Sequence, residues 1–286
     1  MNEVDKMISD MMDNLENKDE KKSGTKNALN HFFSLPEYED DFVLVDVGRK
    51  RRIRNFYICR HQVTQKEFSD IIGNNPSFFQ LHNIYLQKKV IQVLEEQGTT
   101  DFNPVEYVSY YDAVFYCNKR SILEGLSPVY SINGKTNPDN WNYIPCKGNE
   151  LEEITENGNA NGYRLPSEEE WLFAAIGGED FMYAGSNRLD DIAWCAKDIR
   201  NVFLLGEVNY VHPVMQKKAN GYGLYDMTGN VWEWSSDLRF AVGGGYDSGY
   251  NECYIQGGKR VTTTQKFLDP DMRYDNVGFR VVRTAF

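Results

Sequence analysis

Beyond Gly177-Gly178 the sequence loses hydrophobic periodicity, and Gly, Asn and Tyr dominate much of the remaining chain. A segment with neither a 3.6-residue nor a 2-residue period is not carried by long helices or broad strands. Its loops must be pinned by specific contacts. The earlier residues supply the regular elements. Phe42-Val43-Leu44-Val45-Asp46-Val47 reads as a strand, Arg49 to Arg54 as a basic turn, and Phe56-Tyr57-Ile58 as the returning strand. Thr64 with Glu67, and Ser109 with Asp112, match the capping-box spacing. Ser167 ahead of Glu168-Glu169-Glu170-Trp171 caps a third helix that ends near Ile176. Residues 125 to 162 are turn-rich, with tight reversals at Asn133-Gly134 and Asn157-Gly158. No internal repeat is evident, and the class expected is α+β.

The chain has 286 residues, enough for one large domain or two small ones, and its 41% apolar and 26% charged content suits a packed core. Aromatic residues reach 14%, and spare tyrosines are suited to a recognition surface. The formal net charge of -11 repels phosphate backbones, so neither nucleic acid nor an anionic membrane is an expected partner. No apolar run approaches a membrane span. The first residues lack the basic start and apolar centre of a secretory signal, which makes the sequence as written cytoplasmic. A leader or lipid anchor removed beforehand would instead place it at the cell surface. A monomer is expected.

Residues 1–40 are expected to be a flexible acidic segment; within it Val4, Ile8, Met11 and Leu15 fall at heptad-like spacing. That pattern suits a short amphipathic helix that docks on a partner, although helices of this length are marginal alone. The folded domain is expected from 41 to 286. Cys59, Cys117, Cys146, Cys195 and Cys253 are scattered and odd in number, which fits a reducing compartment better than a disulfide framework. His31, His61, His82 and His212 show no paired metal-ligand spacing.

Five strings, in order, carry a resemblance. They are Phe56 to Thr64 (FYICRHQVT), Pro104 to Ala113 (PVEYVSYYDA), Gly162 to Trp171 (GYRLPSEEEW), Asn220 to Trp234 (NGYGLYDMTGNVWEW) and Asn276 to Val282 (NVGFRVV). Together they resemble the formylglycine-generating-enzyme, or sulfatase-modifying-factor, family. The resemblance implies a C-type-lectin-like variant: two or three helices around short antiparallel strands with much irregular structure. That family contains copper-dependent oxidases, iron-dependent sulfoxide synthases and binding proteins without chemistry, so function has to be argued from the site.

Asp226, Gly229, Val231 and Glu233 are similar to a calcium site of the family. Calcium takes hard oxygens from carboxylates and from carbonyls in tight turns, and Gly229 permits the unusual dihedrals such a turn requires. The alternative is a purely structural knot, held by Trp232, Trp234 and an Asn230 hydrogen bond. In either case the loop fixes the fold.

The family's oxidases hold copper(I) between two cysteines. Aligned on Gly243-Gly244, Cys253 stands at the second of these positions and Ser248 at the first. An alcohol does not replace a soft thiolate, so no copper and no catalytic residue are expected. Phe240, Val242, Gly245, Tyr246, Asp247, Ser248, Tyr250, Asn251, Tyr254, Gln256 and Lys259 then form a candidate recognition surface, since Tyr, Ser, Asn and Gly are typical of such loops. The stretch resembles the variable segment of treponemal variable proteins, which implies a ligand-binding protein, for protein or glycan, diversified by a retroelement. Two other readings stay open. One is a family oxidase with an altered site, with Cys253 paired to a distant cysteine. The other is an accessory module recruited through residues 1–40.

Overall fold

The computed structural model describes residues 41–48, 53–148, 150–151, 153–196, 209–255 and 265–286. Helix α1 (Gln65–Ile72), α3 (Tyr110–Leu123) and α4 (Glu168–Ile176) start at the hydroxyl caps the sequence places there. In each, the Ser or Thr oxygen accepts from the backbone N–H three residues on, and that residue's carboxylate accepts from the cap's own N–H. Helix α2 (Lys88–Gln97) is an addition to the sequence expectation. It follows Gln87, which makes no side-chain cap, so its start carries no signal. Val90 and Leu94, one turn apart, bury its apolar stripe.

Helix α3 is buried on nearly every side, including its polar residues Asp112, Asn118 and Arg120. A helix so enclosed has to satisfy its charges internally. The Asp112 carboxylate accepts from the Ser109 N–H (2.9 Å), the Tyr143 hydroxyl (2.8 Å) and the Cys146 N–H (2.7 Å). It also pairs with the Arg273 guanidinium at 2.8 Å, which ties the C-terminal loop to the helix start. Tyr116 packs on Phe68 and Phe279, with ring centroids 5.6 and 5.2 Å away.

The strands are short. Strands β1 (Phe42–Val45), β2 (Phe56–Cys59), β5 (Tyr163–Arg164) and β10 (Val282–Thr284) form an antiparallel sheet in the order β1-β2-β10-β5. Strands β3 (Tyr130–Ile132) and β4 (Ile154–Glu156) make a separate antiparallel pair. At the reversal after β3, Asn133 and Gly134 both take positive φ (49° and 73°). Ile132 and Lys135 exchange two backbone hydrogen bonds across that turn. The third sheet has the order β8-β7-β6-β9, from Gln265–Phe267, Phe240–Val242, Trp232–Trp234 and Val277–Gly278. Its β6–β9 pair is parallel, with Trp232 opposite Val277, which adds to the antiparallel expectation. A parallel neighbour needs a long crossover, and residues 235–276 supply it. This sheet positions the candidate site: β6 leaves the 226–231 turn, and β7 runs into Gly243-Gly244.

Candidate functional site

The turn before β6 gathers four oxygens around one amide. Gln62 Nε2 lies 3.3 Å from the Asp226 carbonyl, 3.3 Å from the Gly229 carbonyl, 2.9 Å from the Val231 carbonyl and 3.0 Å from Glu233 Oε1. All four belong to the residues chosen from sequence as calcium ligands, so the structure does bring them together. Toward Gln62, Asp226 presents its backbone oxygen, while one oxygen of its carboxylate, Oδ2, accepts from the Met215 N–H at 2.8 Å. Burial raises that carboxyl to about 6. Glu233 is fully enclosed and accepts from Arg280 Nε (2.8 Å), Arg280 Nη2 (2.9 Å) and Trp171 Nε1 (2.7 Å). Gly229 has φ 83° and Asn230 φ 64°, as the tight turn requires.

The donor set suits a hard cation in kind. An amide nitrogen has two hydrogens and cannot serve four acceptors. Asp226 Oδ1 and Gln62 Oε1 are buried without a hydrogen-bond partner. Turned end for end, Gln62 would add its own oxygen to the set. The cage depends on carbonyls, since among the described residues no group of three or more His, Cys, Asp or Glu side chains is placed to hold a metal.

The position aligned with the family's first copper cysteine is closed by its own turn. Ser248 is 2% exposed, and its hydroxyl accepts from the Gly245 N–H at 3.0 Å. Its N–H donates back to the Gly245 carbonyl at 3.0 Å. Cys253 is 1% exposed. Its thiol is pushed far up by a hydrogen bond with Cys195 and by burial.

Burial also corrects part of the expected recognition surface. Val242, Gly245, Tyr246 and Ser248 are buried and do not offer their side chains to a ligand. Val242 belongs to a sheet strand buried on both faces, and Gly245 packs against Trp232. Tyr246 stands edge-on to Phe79 at 5.1 Å and hydrogen-bonds Asp275. Asp247, Tyr250 and Asn251 are exposed, while Phe240 and Tyr254 are half-buried. Asn276 Nδ2 donates to Asp247 at 2.8 Å, and Tyr254 stacks on Tyr183 at 5.0 Å. Gln256 and Lys259 lie outside the described residues, as do residues 1–40 and most of the basic turn after β1.

Sequence reasoning missed the segment that braces this surface. Trp194 stacks on His212 (3.7 Å), His212 stacks on Tyr210 (4.3 Å), and Lys217 Nζ sits 4.0 Å over Trp194. Burial lowers His212 to about 4, so the stack holds a neutral imidazole at neutral pH. Asn230 clamps it: the side chain exchanges two 3.0 Å hydrogen bonds with the His212 backbone, and its own N–H donates to the Trp194 carbonyl at 2.7 Å. The Asn230 carbonyl in turn accepts from the Tyr246 N–H. The isolated Trp194 and His212 gave no spacing from which this could be read. Asn230, singled out as a hydrogen-bonding residue, was the available signal.

Such a fold and turn define a lectin-like scaffold of one family. Residues 36–285 match the sulfatase-modifying factor enzyme 1-like domain, and the chain belongs to that family. It is 36% identical over 280 residues to the chaperone protein LppX of Paenibacillus barcinonensis, covering 86% of this chain and 90% of that one. It is 33% identical over 141 residues to the inactive C-alpha-formylglycine-generating enzyme 2 of Mus musculus, covering 43% of this chain and 44% of the relative. Among solved structures, Treponema denticola variable protein 1 superposes with a TM-score of 0.63 at 25% identity, covering 85% of this chain and 91% of that one. The α+β, C-type-lectin-like class expected from sequence therefore holds. Among the described residues no helix is long and apolar enough to cross a membrane.

Proposed function

We propose that this chain is a non-catalytic binding protein that displays Asp247, Tyr250, Asn251, Phe240 and Tyr254 on a braced scaffold, for a protein or glycan ligand. One observation carries the reading: the Ser248 hydroxyl is spent on closing the 245–248 turn, which leaves Cys253 without a soft partner at the family's copper position. Relatives named inactive, chaperone and variable protein support it. Diversification by a retroelement belongs to the same reading. The test is binding of the full chain to arrayed glycans and unfolded polypeptides. Tyr250→Ala is expected to weaken the strongest interaction at least about tenfold, the loss of an exposed aromatic anchor. Unchanged binding in Tyr250→Ala and Tyr254→Ala would overturn the choice of surface.

Calcium is proposed as a structural ion, held by the Asp226, Gly229 and Val231 carbonyls and by Glu233. When bound it would supply positive charge to a buried oxygen cluster. A ligand that binds only the native state raises stability with concentration. Millimolar calcium is therefore expected to raise Tm over a chelator control, with magnesium much weaker. Identical melting in both conditions would remove the ion.

A second reading has one observation in its favour. The fold brings Cys195 beside Cys253, as an oxidase with an altered ligand pair requires. Cys253 is pushed up by its hydrogen bond with Cys195 and by burial, so a metal at this pair would have to displace that proton.

A further inference from the structure

Cys195 and Cys253 are 58 positions apart in sequence, yet they share one small apolar cluster. Cys253 lies inside it with Tyr183, Leu189, Ile192 and Ala193, while half-buried Cys195 and Tyr254 pack against its edge. The backbones are held together independently of the sulfurs. Ala196 donates its N–H to the Ser248 carbonyl at 3.1 Å, and the Trp194 carbonyl accepts from the Asn230 N–H at 2.7 Å. On the other side, Gly244 leaves room for the sulfur, since a Cβ there would meet Cys253 Sγ at 2.8 Å. The remaining thiols are placed differently: Cys59 and Cys117 are deep in the core, and Cys146 lies beside Asp112.

We propose that Cys195 and Cys253 form an oxidative modification site, a reversible disulfide made by exchange with a low-molecular-weight disulfide. Cys195, at the edge of the cluster, is the entry point. Its thiol gives up a proton, and the thiolate attacks one sulfur of the small disulfide. That S–S bond breaks, and the expelled thiolate takes a proton. With Cys195 in the mixed disulfide, the thiol hydrogen bond that raised Cys253 is gone; Cys253 gives up its proton to the departing small thiolate as its sulfur attacks the Cys195 sulfur. The second small thiol leaves protonated. Two protein thiols have been oxidised and one small disulfide reduced to two thiols, a balanced two-electron exchange.

The consequence is local. The bond would staple the turn Tyr250–Cys253 to the Trp194–Ala196 segment, and so stiffen the proposed recognition surface in oxidising conditions. In a reducing compartment the turn would be held only by packing and hydrogen bonds. This inference does not depend on the identity of any ligand, so binding results and redox results fail separately.

The test equilibrates the full chain with a series of oxidised-to-reduced glutathione ratios, blocks residual thiols by alkylation, and maps non-reduced peptides by mass spectrometry. A single internal linkage, Cys195 to Cys253, is expected. It should raise Tm by about 5–10 °C, reversibly on adding reductant, as expected for a disulfide closing a long loop in a domain of this size. Cys195→Ser should abolish both the linkage and the Tm rise while the reduced protein melts as the parent does. Because Cys253 is buried, Cys253→Ala serves as a second arm, in which Cys195 should stop at the glutathione mixed disulfide. A mixed disulfide on Cys195 in the parent that never resolves onto Cys253 would overturn the proposal, as would linkage to Cys146 at comparable yield.

Discussion

Glu106 is a carboxylic acid with no exposed surface, and its oxygens accept from the Phe78 and Phe79 N–H groups at 2.8 and 2.9 Å. Burial, against those hydrogen bonds and with Asp275 nearby, raises it to about 8 from an ordinary 4.5. Tyr246 and Asp247 line the same corner. The native state therefore keeps a proton that the unfolded chain has lost between those two values. Stability from this group is full below pH 4.5 and falls as pH rises toward 8, by at most about 5 kcal/mol. Glu106→Gln keeps an acceptor for one of the two N–H groups and cannot ionise, so it should flatten that part of the Tm-versus-pH curve. An unchanged slope would show that Glu106 ionises as usual. Gln62 is the other residue on which much depends, because its one amide nitrogen reaches three buried carbonyls as well as Glu233 Oε1, which Arg280 also reaches. In chelator, Gln62→Leu is expected to cost about 2–4 kcal/mol in a denaturant titration, the price of buried acceptors left unpaired.

At the scale of elements, the start of α3 is the joint of the fold. Asp112 completes the cap, receives Tyr143 and Cys146, and neutralises Arg273. Asp112→Ala removes the cap and strands a mostly buried guanidinium, so a loss of about 3–5 kcal/mol is expected. Ser109→Ala, which removes only the hydroxyl, should cost nearer about 1 kcal/mol. Chemical denaturation of both variants distinguishes the cap from the ion pair. These starts were legible because a capping box is a local signal, written within four residues. Helix α2 was not, since Gln87 offers no cap and its stripe is only Val90 and Leu94. The parallel β6–β9 pair and the Trp194–His212 stack were also illegible. Both join residues far apart in sequence, and neither leaves a spacing pattern at either end. The four residues of the calcium-like turn do come together around one amide, but that hub, Gln62, lies 164 positions before Asp226. Val242, Gly245, Tyr246 and Ser248 fall out of the surface proposed from sequence, because composition shows which residues suit a ligand but not which of them the fold buries.

For the whole molecule, charge and scaffold point the same way. A net charge of -11 should keep the protein off polyanions. No retention on duplex DNA or on phosphatidylserine vesicles is expected at about 0.1 M salt, where the Debye length is about 10 Å. Salt-sensitive retention on either would show a basic patch that the total charge conceals. The scaffold is tied at long range by Arg280, which reaches Glu233, the Cys59 carbonyl and the Tyr225 carbonyl from one buried position. A frame fixed in this way tolerates change at Tyr250 or Asn251 far better than at Gln62 or Glu233. That asymmetry is what the proposed binding role would require.

The most direct test sets binding against chemistry. The purified, reduced chain is supplied with copper(I), oxygen and a cysteine-containing peptide, and the peptide's mass is followed beside Cys253→Ser and Cys195→Ser controls. No oxidation of the peptide above the copper-only background is predicted, with the parent and both variants alike. Turnover in the parent that disappears in Cys253→Ser, while that variant still folds, would contradict the account and establish an oxidase.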